Sequence, residues 1–176
     1  MTHSSFRRYT WDQIHEVHDR GIFFDTNVLL MIFRSDQHVY PRANKYFKIF
    51  AKILARRMKI FVNEIVLSEF YYAAFKSERE MSNFSSVKAF RGSETGIQAR
   101  ESIFRDIRAL LQQLTYIPSN LSLPEITNQF TVDFLDFNDK LIAETCRKNN
   151  FVLVTDDADY KDTDIDILSA NTMLFA

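Results

Sequence analysis

The sequence predicts an α/β domain built on a mostly parallel sheet. Three observations carry that prediction. Short apolar runs of strand length alternate along the chain with segments of helical period. Glycine and proline number only three each, too few turn formers for a sandwich or barrel of many short strands. The 176 residues make one domain, long enough to bury roughly 70% of the surface its unfolded chain exposes. Apolar residues at 46% and charged residues at 26% are ordinary globular composition and argue against disorder.

The elements follow in order. Thr10-Trp11-Asp12-Gln13 reads as a capping box opening a short helix to about His18. Residues 1–19 therefore read as a helical extension ahead of a domain over 20–176. Gly21 to Phe24 is a buried-strand candidate ending at Asp25. Thr26 or Asn27 caps a helix through Phe33. An amphipathic helix runs from about Arg42 to Arg57, then a strand over Lys59 to Asn63, then a helix from Glu64 to about Ser77. Residues 78–97 are polar, carry the two remaining glycines, and read as a helix end plus a mobile loop. Ile103, Phe104, Ile107, Leu110, Leu111 and Leu114 have clean helical spacing. Pro118 and Pro124 interrupt residues 115–137, which read as a short strand or loop and a short helix. Asp139 to Lys148 is helical, Phe151 to Val154 is a strongly apolar strand, and Thr172 to Phe175 is a weaker one.

The net charge of −1 hides a division. Residues 1–115 carry 18 Lys/Arg against 12 Asp/Glu, and residues 116–176 carry 4 against 11. Between Asp36 and Glu64 seven basic residues occur with no acid. At about 100° per residue, Lys45, Lys48, Lys52 and Arg56 fall on one narrow helical stripe. Tyr46, Phe47, Phe50, Ile53 and Leu54 lie on the neighbouring face, expected to pack inward. Such a stripe is ordinarily a solvated face; the sharper reading is a contact with a phosphate backbone, sensitive to salt.

Acids sit where apolar residues belong. In a parallel sheet, ligands bind beyond the carboxyl ends of the strands. Asp25 follows the first buried strand, and Asp156 and Asp157 follow the strand ending at Val154, so both positions point to one edge. Glu69 lies among Ile65, Val66, Tyr72 and Ala73, and Asp139 precedes Ile142 and Ala143 on one helix. Together these bring Asp25, Glu69, Asp139 and Asp157 to one locality; spacing alone does not separate Asp157 from Asp156. One carboxylate pair about 5 Å apart repels by roughly 3 kcal/mol at an effective dielectric of 20. Either some of the acids are protonated or cations sit among them. Lys140 is the one basic neighbour in sequence, and it points a helical step away. Hard oxygen ligands suit Mg²⁺ or Mn²⁺, and such a site activates water and shields a phosphodiester.

These residues carry a family resemblance. Asp-Thr-Asn-Val-Leu (25–29), Leu-Ser-Glu-Phe (67–70), Asn-Asp-Lys-Leu-Ile-Ala (138–143) and Leu-Val-Thr-Asp-Asp-Ala-Asp-Tyr (153–160) together resemble a PIN-domain nuclease. The pattern is similar to the toxin ribonucleases of bacterial type II toxin–antitoxin pairs, over about residues 20–176. The resemblance implies a three-layer α/β/α sandwich on a four- to five-stranded sheet. It also implies a Mg²⁺- or Mn²⁺-dependent endoribonuclease acting on RNA, often a homodimer, with an antitoxin protein as partner. Asp25, Glu69, Asp139 and Asp157 match the family's acidic quartet. The last motif, Thr-any-Asp, selects Asp157 over Asp156, with Thr155 as its hydroxyl neighbour. Asn27 matches the small polar position after the first acid. The extension before Gly21, the basic helix and the 78–97 stretch exceed the compact pattern, and PIN domains also serve RNA processing and decay.

Other signals fail on chemistry. Asp162-Thr-Asp164-Ile-Asp166 imitates a calcium loop, but Ile167 stands where the loop needs Gly and Met173 where it needs Glu. His15 and His18 lack further zinc ligands. Cys146, the single cysteine, lies on an apolar helix face and excludes an intramolecular disulfide, which fits a reducing, cytoplasmic setting. No secretory h-region precedes the domain, and the apolar stretch from Gly21 to Phe33 is too short for a membrane. The rival to the enzyme is a PIN-like module that binds RNA or a protein without cutting.

Overall fold

A computed structural model of the chain describes residues 6–17, 19–34 and 41–175. Six strands form one all-parallel sheet: β1 (Arg8–Thr10), β2 (Ile22–Phe24), β3 (Ile60–Val62), β4 (Thr115–Tyr116), β5 (Val152–Val154) and β6 (Asp166–Ser169), in the order β1-β6-β5-β2-β3-β4. β2 and β5 are wholly buried because helices cover both faces, so each reads as a continuous apolar run. Seven α-helices join the strands: α1 (Thr26–Phe33), α2 (Ala43–Ala55), α3 (Glu64–Met81), α4 (Val87–Gly92), α5 (Glu94–Leu111), α6 (Leu123–Thr127) and α7 (Phe137–Asn149). α1 to α5 lie along the moves from β2 to β3 to β4 and pack on one another, which the general right-handed rule for such crossovers assigns to one face of the sheet. The return from β4 to β5 carries α6 and α7 on the other face.

Local chemistry sets the boundaries. At Gly21 a Cβ would stand 2.4 Å from the Phe151 ring, so only glycine lets this ring approach the start of β2. Phe151 in turn stacks on Phe61, with ring centroids 4.5 Å apart. Asn63 caps α3 by accepting from the Val66 N–H at 3.1 Å. α7 ends at Asn150 in the left-handed region, at φ 54°.

Four details depart from the expectations. The sheet has six strands rather than four or five, because the extension supplies β1, paired with β6 from Arg8↔Ile167 to Thr10↔Ser169. Thr10 therefore ends a strand, and only Gln13–Val17 turns, as a 3-10 helix; His18 lies outside the described residues. Half of the expected box is present, with the Gln13 side chain accepting from the Thr10 N–H at 2.8 Å. The last strand is Asp166–Ser169, where Ile167 and Leu168 are fully buried; Thr172–Phe175 is a 3-10 turn with Met173 exposed. Residues 78–97 hold the expected end of α3 but little loop: after a short turn over 82–86, α4 and the start of α5 fill the rest. Ser86 and Ser93 are caps, accepting from the N–H groups of Ala89 and Gly96, and Phe90 anchors α4 in a satellite core with Ala74, Phe75, Ala99 and Ile103. Finally, α2 buries Ala43, Tyr46, Ile49, Phe50 and Ile53, while Phe47 and Leu54 face outward.

Candidate active site

Asp25 stands where β2 gives way to α1 and is 3% exposed. One carboxylate oxygen accepts from the Thr26 N–H at 2.7 Å, capping the helix. The other accepts from the Thr155 hydroxyl at 2.6 Å and the Asn27 amide at 2.8 Å. Thr155 follows β5, the strand hydrogen-bonded to β2. Parallel pairing of β2 with β5 thus sets the two strand ends side by side, and capping does not exhaust Asp25.

Glu69 reaches this corner from the second turn of α3. Its oxygens accept from the Thr26 hydroxyl and the Asn138 amide, each at 2.7 Å. Asn138 opens α7, so the same carboxylate ties α1, α3 and α7 together. Asp139 is not the cap of α7. Asp136 takes that role, accepting from the Asp139 N–H at 2.9 Å, which frees the Asp139 carboxylate to receive the buried Tyr160 hydroxyl at 2.8 Å. Asp157 donates its N–H to the Thr155 hydroxyl at 3.0 Å and caps the turn beginning at Ala158. Its neighbour Asp156 is consumed elsewhere: it pairs with Arg42 at 2.7 Å and accepts from Tyr46 at 2.7 Å. Within the pair, Asp157 is the one whose charge acts on Asp25 and Asp139.

The electrostatics tie all four acids into one site. Burial, opposed by the hydrogen bonds from Thr155 and Thr26 and helped by the charges of Glu69 and Asp157, pushes Asp25 up to about 7. Burial pushes Asp139 up to about 7 as well, with Asp25, Asp136 and Asp157 adding repulsion. Among the described residues no lysine or arginine makes an ion pair with any of the four. Lys140 turns away to Asp133 and the Thr131 carbonyl, as the helical step predicts.

Among the described residues, no group of three or more Asp, Glu, His or Cys side chains is close enough to hold a metal ion as it stands. Each acid leans on its own donor: Glu69 on Thr26 and Asn138, Asp139 on Tyr160, and Asp157 on the Asp159 N–H. The donor set nevertheless suits a hard divalent cation. It offers carboxylate oxygens only, two of them held partly protonated near neutral pH, without a counter-charge. Asp25 is buried and the other three acids are half-buried, so the cluster opens to solvent.

The expected supporting residues fall as follows. Asn27 and Thr155 both hold Asp25, and Asn27 also accepts from the Asp156 N–H at 3.1 Å. Lys45, Lys48 and Lys52 gather around the Trp11 ring rather than at the acids, and Arg56 lies beyond the end of α2. Sequence reasoning missed Tyr160 and Asn138 as partners of the acids. Both lie within the quoted motifs, but only the meeting of α7 with β5 and α3 reveals their targets. It also missed Trp11, read there as part of a cap.

Acids gathered at the carboxyl ends of the neighbouring strands β2 and β5 stand where open parallel α/β sheets bind their ligands. A family model described as PIN domain matches residues 22–166. The chain belongs to the PIN-domain family, a family of nucleases. Among solved structures, VapBC2 from Rickettsia felis bound to a DNA fragment from their promoter shares the fold. Its TM-score is 0.53 at 18% identity, over 85% of this chain and 98% of that one. FitAB bound to an IR36 DNA fragment matches at a TM-score of 0.45 and 14% identity, over 85% of this chain and 94% of that one. No curated protein matches the sequence. No helix among the described residues is long and apolar enough to cross a membrane.

Proposed function

We propose that this chain is a Mg²⁺- or Mn²⁺-dependent endoribonuclease that hydrolyses RNA phosphodiester bonds with Asp25, Glu69, Asp139 and Asp157. One observation carries the reading: two acids pushed to about 7 repel and are repelled by the other two, and among the described residues none of the four has a basic partner. Asp25, Asp139 and Asp157 are the residues that would hold the metal, with Glu69 holding or orienting the attacking water. When bound, such an ion neutralises phosphate charge and acidifies coordinated water. The chain's own residues do the positioning. Thr155 and Asn27 fix the Asp25 carboxylate, and Tyr160 fixes that of Asp139. Glu69 is steadied by Thr26 and Asn138 and accepts the water's proton. Because water attacks, the 2′-hydroxyl is not the nucleophile and the products carry 5′-phosphates.

The toxin role is the finer part of this proposal. It rests on the resemblance of the four motifs and on the fold shared with VapBC2. It brings with it a cytoplasmic setting, a homodimer and an antitoxin partner. Leu123, Phe130, Val132 and Phe134 stand exposed near α7 and offer apolar surface for such a partner. Native mass spectrometry of protein purified from its source reads both assemblies.

The test of the chemistry is cleavage of single-stranded RNA, hairpin RNA and flap DNA by purified protein with Mn²⁺. RNA is cut, and Asp25→Asn lowers the rate by about 100-fold or more, the scale of losing one charge-stabilising group. Full activity in that variant overturns the assignment. Tight RNA binding without cleavage by the wild type would instead identify a binding module.

A further inference from the structure

The N-terminal extension places one aromatic ring under three ammonium groups. The Nζ atoms of Lys45, Lys48 and Lys52 lie 5.8, 5.9 and 5.5 Å from the centre of the Trp11 ring. Two separate parts of the chain build this arrangement. β1 pairs with β6 and brings Trp11 to the carboxyl edge of the sheet, where the pocket also lies. α2 supplies the lysines from one stripe, at i, i+3 and i+7.

Packing alone does not account for three cations on one ring. One lysine stem suffices to cover an indole, whereas three like charges repel one another. Among the described residues none of the three makes an ion pair. The nearby acid, Asp12, accepts from the Thr10 hydroxyl at 2.7 Å and attracts Lys52 without forming an ion pair, which leaves Lys45 and Lys48 uncompensated by it. Lys48 and Lys52 are exposed and Trp11 is half-exposed, so both ring and charges meet solvent. One turn before Lys45, Arg42 pairs with Asp156, next to Asp157 in the acidic pocket. The stripe therefore leads from the indole toward the acids.

We propose that Trp11 with Lys45, Lys48 and Lys52 forms a docking platform for single-stranded RNA, separate from the acidic pocket and feeding it. A base stacks on the indole while the ammonium groups bind the flanking phosphates. A paired duplex hides its base faces and cannot use the ring. The identity of the strand as RNA rests on the proposed nuclease function; the platform itself reads base faces and phosphates.

Trp11 is the protein's single tryptophan, so intrinsic fluorescence reports this site alone. The test titrates a 12-nucleotide single-stranded RNA into the full chain with EDTA present, followed by tryptophan quenching and, with a labelled strand, by anisotropy. The single strand quenches Trp11 and the matching 12-base-pair duplex does not. Affinity falls about 20-fold between 50 and 200 mM salt, as three neutralised phosphates require. Joint substitution of Lys45→Gln, Lys48→Gln and Lys52→Gln removes most of that salt dependence, and Trp11→Leu weakens binding by about tenfold. Melting curves check that both variants fold, and the lysine variant keeps the test valid if Trp11→Leu does not.

RNA affinity unchanged in the folded variants, quenching equal for duplex and single strand, or equal quenching by a poly-glutamate peptide would each overturn the platform. The last result would assign the surface to an acidic protein segment. A Mn²⁺ cleavage assay run in parallel separates the two proposals. Cleavage with a silent Trp11 removes the platform and keeps the nuclease. Quenching with no cleavage keeps the platform and removes the nuclease.

Discussion

At the scale of single residues, the site gathers acids that, among the described residues, no lysine or arginine pairs with. Asp25 shows this most directly. Its carboxyl sits near 7 against an ordinary value of 3.8. Between roughly pH 4 and 7 the folded protein therefore keeps a proton that the unfolded chain has lost. A folded state that binds more protons is favoured by acid, so the stability of metal-free protein falls as pH rises through that window. Asp139 adds in the same direction. Melting in EDTA gives a higher Tm at pH 5.5 than at pH 7.5, with the slope reduced in Asp25→Asn; a flat profile contradicts the buried, unpaired charge. A second residue prediction concerns Gly21. Its Cβ would collide with the Phe151 ring at 2.4 Å and approach Phe61 at 3.0 Å. Gly21→Ala overpacks a filled site and costs about 1–3 kcal/mol in urea unfolding, without touching the acids.

At the scale of elements, caps decide what composition blurs. Ser93 ends α4 and opens α5, its hydroxyl accepting from the Gly96 N–H at 3.1 Å. Ser93→Ala removes that acceptor and lowers stability by about 1 kcal/mol, measured by denaturant midpoint, while RNA cleavage stays at the wild-type rate. A loss of cleavage in that variant would mean that α5 bears on the site. The stretch containing Ser86 and Ser93 reads as a loop in the sequence because serine favours turns and caps alike. Only the packing of Phe90 against Phe75 decides for helix. The same ambiguity acts at Thr10, where a capping-box pattern lies at the end of a strand.

At the scale of the molecule, two effects join distant parts. On the proposed function, divalent ions bind the folded site and not the unfolded chain, and Mn²⁺ is then expected to raise the Tm at low salt. Saturation to 100 times Kd contributes about 2.7 kcal/mol, or roughly 5–10 °C at this size. No shift would set the pocket aside as a metal site. The N-terminal extension is the second effect. The Arg8 guanidinium donates to the carbonyls of Ile165, Lys161 and Thr163, and β1 closes the exposed edge of β6. A chain beginning at Trp11 loses both. It melts lower and aggregates, because an unpaired hydrophobic edge strand recruits other chains; light scattering and calorimetry read the outcome.

The sequence by itself determined the alternation of strand and helix and the parallel sheet, and it singled out Asp25, Glu69, Asp139 and Asp157 as acids at apolar positions. Apolar periodicity and a charged residue at an apolar position are local signals, readable within one turn or strand. Tertiary structure decided what depends on meetings between remote segments. The pairing of β1 with β6 made the expected cap residue Thr10 the end of a strand. The Arg42 and Tyr46 contacts took Asp156 out of competition with Asp157. The approach of Tyr160 to Asp139 and of Trp11 to three lysines joined groups with no common sequence pattern. Such contacts arise when the whole core closes, and hydrophobic burial, being non-directional, leaves little trace of them in any one stretch of chain.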